Sequence, residues 1–288
     1  MNLAGFLTVT LDGLAFGMLL FLFSIGLGVT LGLMRFINLA HGAFAMCGGY
    51  LTVALTQRGA PFLLALVAAF FLTGAIGVAL ERTLVRFVYP KSALQQVLFS
   101  IGLAFAAGAL AELIFGPQQQ AVALPAWATQ RVEAFGVETS GYRLFVLGAG
   151  ALALPALWLL LERTLFGARV RAAVDNRRAA EGVGVNVGRL FALAFGLGAA
   201  CAGFGGGLAV NALGLDPSFP FKYLVLVLMV VAIGGPGSIF GAFIAALGLG
   251  LLQSWFQYFR PDLGGFAIYA ALVLTMLFRP QGLAGRAA

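Results

Sequence analysis

The sequence predicts an all-α integral membrane protein: a polytopic bundle of about eight or nine transmembrane helices with short or broken glycine-rich segments, spanning residues 1–288 as one domain. Three observations predict it. The chain is 61% hydrophobic and only 9% charged, with a mean hydropathy of +1.02, whereas soluble domains run nearer half apolar and a quarter charged. The charges are spaced so that they leave uncharged runs of membrane-crossing length. Those runs show no period-2 alternation in short strands, which disfavours an outer-membrane barrel.

About 20 helical residues cover a ~30 Å hydrocarbon core. The runs 13–34, 36–57, 59–80, 92–111, 144–161 and 190–215 each have about one span's length. The run 223–259 is too long for one helix and is interrupted by Gly-Gly-Pro-Gly-Ser, Gly234 to Ser238. Such a sequence cannot continue a regular helix, so the run reads as two segments, the first short. The last run, 263–278, is slightly short. The opening MNLAGFLTVT lacks a basic region, and Asp12 precedes the apolar run, so the first span is expected to be retained. Cys47 and Cys201 fall within spans and read as small apolar filler rather than a disulfide framework.

The net charge of +7 is unevenly placed. Alternating the spans puts Arg35, Arg82, Arg86, Lys91, Arg163, Arg169, Arg171, Arg177, Arg178, Arg189, Arg279 and Arg286 on one side. Arg58, Arg131, Arg143, Lys222 and Arg260 fall on the other. Positive residues favour the cytoplasmic face, so the N-terminus is expected outside and the C-terminus inside. This holds if 223–233 crosses; a re-entrant segment there would flip the C-terminal end. The segment 116–142, with Pro117, Pro125 and Trp127, is the longest external piece and reads as a connection or a lid.

The loop 162–189 is the most polar passage and is expected in the cytoplasm. Its alanines and its Asp175, Asn176, Arg177, Arg178 and Glu181 suggest one short helix, stopped by Gly182 and Gly184. Such a helix either holds topology through its charges or docks a cytoplasmic partner in a groove and carries a push into the spans.

Several chemistries are excluded. No GxxxxGK[ST] loop occurs; the only lysines, Lys91 and Lys222, follow Pro90 and Phe221. One histidine and no His/Cys/carboxylate cluster argue against a catalytic metal. Asp12, Glu81, Glu112 and Glu162 lie near predicted span ends, which weakens an ion-coupled carrier. The chain is not expected to be an enzyme, nor to hold a cofactor or metal of its own.

Most of the 40 glycines are explained by close helix packing. Two places ask for more: Asn38 to Gly49, and Ala232 to Phe243. Each has polar or turn residues at a boundary followed by a glycine-dotted apolar helix. Broken helices in corresponding halves mark transport sites. Asn38 and Ser238 are positioned to cap the helices that follow them. A path is therefore expected near Asn38, His41, Gly42, Asn211, Gly234, Gly235 and Ser238. His41 has two readings, a packed imidazole at an interface or a direct part of the path.

INLAHGAFAMCGGY, then RTLFGARVRAAVDNRRAAEGVGVNVGRLFALAFGLGAACAGFGGGL, AIGGPGSIFGAFIAA and LFRPQGLAGR together resemble the permeases of branched-chain amino acid ABC transporters, the LivH type. The match runs from about 36 to 286 in the family's order. The family more often has an apolar residue where Pro236 stands, which stiffens the turn here. The resemblance implies a multi-pass subunit of a bacterial inner membrane that forms the translocation path. It implies a second permease (identical or similar), two cytoplasmic ATPase subunits that bind the ATP, and a periplasmic substrate-binding protein. Arg171, Asp175, Asn176, Arg177, Arg178, Glu181 and Gly184 would form the coupling element. Urea, short amides or another small solute are alternative cargoes, and an ATPase-independent channel is the rival of a different class.

Overall fold

The structure, a computed structural model, describes residues 3–34, 36, 38–134, 136–279 and 281–284. Arg35 and Arg286, used in the charge tally, and Ile37 of the INLAHG motif lie outside the described residues. The element order is α1 (Leu3–Met34), α2 (His41–Gln57), α3 (Phe62–Thr83), α4 (Ala93–Phe115), a short α5 (Ala126–Thr129) and a hairpin of β1 (Arg131–Ala134) and β2 (Val137–Ser140). There follow α6 (Gly141–Arg163), α7 (Leu165–Asp175), α8 (Arg177–Gly182), α9 (Val187–Leu213), α10 (Phe219–Gly234), α11 (Ile239–Phe259) and α12 (Gly264–Phe278). Among the described residues, seven helices are long and apolar enough to cross a membrane: α1, α3, α4, α6, α9, α11 and α12. Two more, α2 with 17 residues and α10 with 16, run through the bundle but are shorter. Both carry the motifs singled out from sequence.

Local chemistry sets the boundaries. Ser92 and Gln95 form a capping box at the start of α4. Side chains of Ser140, Thr164, Asn176, Asn186 and Ser238 accept first-turn N–H groups of α6, α7, α8, α9 and α11. The loop 162–189 thus holds two helices, not one: Asn176 ends α7 and caps α8, and its Oδ1 accepts from Ala179 N at 3.0 Å. Gly184, at φ +86°, closes α8 as expected.

The centre of the bundle is α1, α2 and α9, with Phe21, Leu20, Val53, Ala202 and Leu208 fully buried. Glycine makes this possible. A Cβ at Gly48 would interpenetrate the Gly203 backbone, so α2 and α9 meet main chain to main chain. By contrast α12 exposes Phe266, Val273 and Leu277, as a helix facing hydrocarbon should.

The bundle has two distinct ends. One carries the β hairpin, the start of α1 and the Asp12–Arg143 ion pair between α1 and α6. The other carries α7 and α8, which pack Val170, Ala173 and Ala180 against Val29 of α1 and Leu190 and Ala194 of α9. The C-terminal segment lies at this second end, where Leu283 N donates to Ile233 O at 2.7 Å. The segment 223–233 therefore runs toward the α7–α8 end, and α11 and α12 return and cross again.

Candidate translocation site

After α1 the chain does not turn straight into α2. Phe36, Asn38 and Ala40 are buried, and Phe36 N donates to Thr30 O at 3.2 Å. The segment folds back into the bundle before α2 begins at His41. A Cβ on Gly26 would collide with His41 Cε1 and with the Gly198 carbonyl. Gly26 precedes the end of α1, and Gly198 follows the start of α9, by about 12–16 Å of helix. So α2 starts roughly halfway through the bundle. Irregular backbone at that depth is tolerated only when enclosed by protein or lining a cavity. Here it is held by Ser100 of α4, whose Oγ accepts from Leu39 N at 3.1 Å, and by Tyr89, whose ring meets Phe36 edge-on at 5.4 Å. Tyr89 in turn donates to buried Glu81 at 3.1 Å.

Asn38 does not cap α2. Ala40 is the N-cap residue and no side chain caps the helix. Asn38 stands too early and instead gives its main-chain carbonyl to His41 N at 3.3 Å. Its Nδ2 and His41 Nε2 are buried and find no hydrogen-bond partner among the described residues. The imidazole lies against the Phe23 main-chain carbonyl. It borders a closed cavity of about 10 Å³ between Phe23, Gly42, Ala45, Phe219 and Tyr223, at the margin for a single water. Gly42 is required here, because a Cβ would come within 2.8 Å of the Pro220 carbonyl oxygen. The starts of α2 and α10 are thereby pressed together at mid-depth.

Gly234, Gly235 and Ser238 lie elsewhere. They form the turn between α10 and α11, with Gly235 at φ +93° and Gly237 at φ +82°. Ser238 Oγ accepts from Gly241 N at 3.0 Å, the cap expected from sequence. The turn is clamped by Gly32 of α1 and by Ala284 N, which donates to Gly234 O at 3.2 Å. Gly32, which meets this turn, and Gly26, which meets His41, stand six residues apart on α1, so the turn lies about 9 Å further along the bundle than the imidazole. Asn211 belongs to neither cluster. Its Nδ2 donates to Val122 O at 2.7 Å and its Oδ1 accepts from Val122 N at 2.9 Å. It ties the segment after α4 to the end of α9.

At the α7–α8 end the polar residues divide by role. Arg171 turns inward, donating to Leu161 O and pairing with Glu162 at 3.3 Å. Arg177 pairs with Glu181 at 2.9 Å, one turn apart on α8. Asp175, Asn176, Arg177, Arg178 and Glu181 are exposed, and Val183 beside them is 81% exposed. The buried side of this element reaches Ile239, the first residue after the Ser238 cap.

A family profile described as the branched-chain amino acid transport system / permease component matches residues 9–278. The chain belongs to this permease family. It is 29% identical to the high-affinity branched-chain amino acid transport system permease protein LivH of Escherichia coli K12, covering 98% of this chain and 96% of that protein. It is 34% identical to the permease protein LivM of the same organism over 129 residues, 43% of this chain and 29% of that one. Its fold is similar to that in a solved structure, PsaBC from Streptococcus pneumoniae in complex with Fab, with TM-score 0.50, 13% identity and coverage of 93% and 89%. The protein is a multi-pass membrane permease subunit of an ABC importer and is not an enzyme.

The permease also has a feature that the sequence reading missed. Because α10 begins at mid-depth, a recess of about 580 Å³ opens above it at the hairpin end, walled by α4 and the loop 214–218. Its floor is the Phe105–Phe221 ring pair at 4.5 Å. Asp216 accepts from Lys222 Nζ, from Ser218 Oγ and from Ser218 N, the last at 2.9 Å. Burial pulls the Asp216 carboxyl upward, but the hydrogen bonds from Lys222 and Ser218 win and hold it below the ordinary carboxylate value. Asp-Pro-Ser before an apolar helix was the available signal. What it could not reveal is that Gln120 N donates to Leu215 O at 2.7 Å, stapling this loop to the segment after α4.

Proposed function

We propose that this permease forms half of the translocation path of an ATP-driven importer for branched-chain or other hydrophobic amino acids in a bacterial inner membrane. ATP is bound by two cytoplasmic subunits, and a periplasmic binding protein delivers the substrate. The α7–α8 end faces the cytoplasm. Of the basic residues in described positions, Arg82, Arg86, Lys91, Arg163, Arg169, Arg171, Arg177, Arg178, Arg189 and Arg279 favour that side over the hairpin end, which has Arg58, Arg131, Arg143 and Arg260 with Lys222 just below.

The observation that carries the reading is the two-sided α7–α8 element. Its apolar side packs on α1, α9 and Ile239 at the start of α11, while its charged side and Val183 are exposed. A partner gripping Asp175 to Gly184 can move it as a rigid unit, since Arg171 and Glu162 lock α7 to α6. The displacement reaches Ile239 and the Gly235–Gly237 turn, where two glycines at positive φ supply a hinge. From there α10 carries it to the His41–Gly42 contact, which is packed shut. His41 presents a buried polar atom to that junction, with the buried Asn38 amide three residues before it, and opening the junction would offer the imidazole to a polar permeant. The chain itself contributes no chemistry to ATP hydrolysis.

The test is charge reversal at Arg177 and Arg178, and Gly184→Arg at a φ of +86°. The expected result is a folded, membrane-inserted subunit whose complex loses ATP-driven uptake. Full uptake with intact ATPase coupling in these variants would remove the docking role.

A further inference from the structure

We infer that the recess above α10 is a binding site for the ammonium end of an aliphatic amino acid, with Glu112 as its charged anchor and Phe105 and Phe221 as its apolar floor. The inference rests on the importer reading and adds the part of the substrate that is recognised.

The recess has the dimensions for it. Ligand sites run to about 300–1,000 Å³, and this one is about 580 Å³. Its depth follows from two helix lengths. Phe105 lies ten residues before the end of α4 at Phe115, about 15 Å down. The Phe221 ring meets it there, and the Pro217 carbonyl oxygen is 3.1 Å from where a Gly108 Cβ would stand. The floor is therefore aromatic and well below the rim.

The rim is polar. Glu112, Gln119, Asp216 and Ser218 line it, and no lysine or arginine does. Polar groups of this kind do not face lipid, so this side of α4 fronts water or protein. The two carboxylates differ. Asp216 is already satisfied by Lys222 and Ser218 and sits at the start of α10, where it complements the positive end of that helix. Glu112 has no ion pair among the described residues. It lies in the last turn of α4, which has no basic residue. A carboxylate at a helix C-terminus is repelled by the aligned carbonyls. Glu112 and the α4 dipole thus create a negative field that no described residue is paired to neutralise, Lys222 being engaged by Asp216. An ammonium group neutralises both, and an aliphatic side chain on the same molecule reaches the Phe105–Phe221 floor. A 2-oxo acid of the same skeleton brings only negative charge and is rejected.

The test uses the whole membrane complex in nanodiscs without nucleotide, and radiolabelled L-leucine as probe. Saturable binding is expected, displaced by L-isoleucine and not by 4-methyl-2-oxopentanoate. Glu112→Gln and Phe221→Ala should each weaken it at least about tenfold, and Glu112→Asp should keep most of it. Absence of saturable binding, equal competition by the 2-oxo acid, or unchanged binding in Glu112→Gln would overturn the site. ATP-driven leucine uptake by the same wild-type complex is measured alongside. Uptake without the expected binding sinks this inference alone; no uptake sinks the amino-acid reading on which it rests.

Discussion

Asn211 was expected on the path, and its geometry makes a different and sharper prediction. It exchanges two hydrogen bonds with the main chain of Val122, which is 6% exposed. Asn211→Leu keeps the bulk and deletes both bonds, leaving the Val122 N–H and C=O unpaired. Each such bond contributes about 0.5–1.5 kcal/mol net, so the pair holds the segment by about 1–3 kcal/mol. At 1.4 kcal/mol per tenfold, local opening should become about 5- to 150-fold more frequent. Hydrogen exchange followed by mass spectrometry reads this directly as faster exchange in peptides covering 118–124. Peptides from α7 and α8 should not change, since these helices pack at the other end of the bundle. The Gln120–Leu215 bridge is the next tie along the same seam, so exchange at 214–218 should rise as well. Unchanged protection at Val122 would refute the reasoning, because it would mean the two bonds carry no net stability.

Other consequences follow from the same geometry. His41→Phe removes the imidazole from the Phe23 carbonyl and puts a larger ring beside a space of about 10 Å³, so thermal stability in detergent should fall by about 1–3 kcal/mol, while ATP-driven uptake per folded complex should drop more than about tenfold; retained uptake would take His41 off the path. Gly48→Leu forces a side chain into the Gly203 backbone, and overpacking of this kind costs at least about 1–3 kcal/mol; the check is yield of monodisperse protein, and wild-type yield and melting would contradict the main-chain contact. The depressed carboxyl of Asp216 stabilises its loop at any pH above its unfolded value near 3.8. That contribution disappears as pH falls through the lower folded value. The protection factor at 214–218, exchange corrected for the intrinsic pH dependence of amide chemistry, should therefore fall on acidification below about pH 4 and stay constant between pH 6 and 8. Asp216→Asn should remove the acid dependence.

What the sequence disclosed, and what it hid, divide by the range of the interaction. Uncharged runs located the seven helices of membrane-crossing length and the two shorter ones, α2 and α10, because hydrocarbon imposes length and polarity on each span by itself. Gly-Gly-Pro-Gly located the turn between α10 and α11, because turn chemistry is local. Two local signals were available and went unread: Asn176 as the cap that splits α7 from α8, and the alternation of Arg131 to Ser140 around Gly136, which folds into the hairpin. Asn38 was read as a cap because it stands near the helix start, yet a capping side chain has to be the residue immediately outside the first turn, and that residue is Ala40. The recess was not legible. It exists because α10 starts beside Phe105, 116 positions earlier in the chain, and because Asn211 holds a segment 89 positions away. No window of sequence contains both partners of either contact.

The most direct measurement of the central claim is solute accumulation in sealed vesicles, first with this chain alone and then with its companion permease, ATPase subunits and binding protein added. No accumulation of leucine against its gradient is expected from the chain alone, and ATP-dependent accumulation from the assembled system. Uphill uptake by the single chain, with no nucleotide present, would contradict the account.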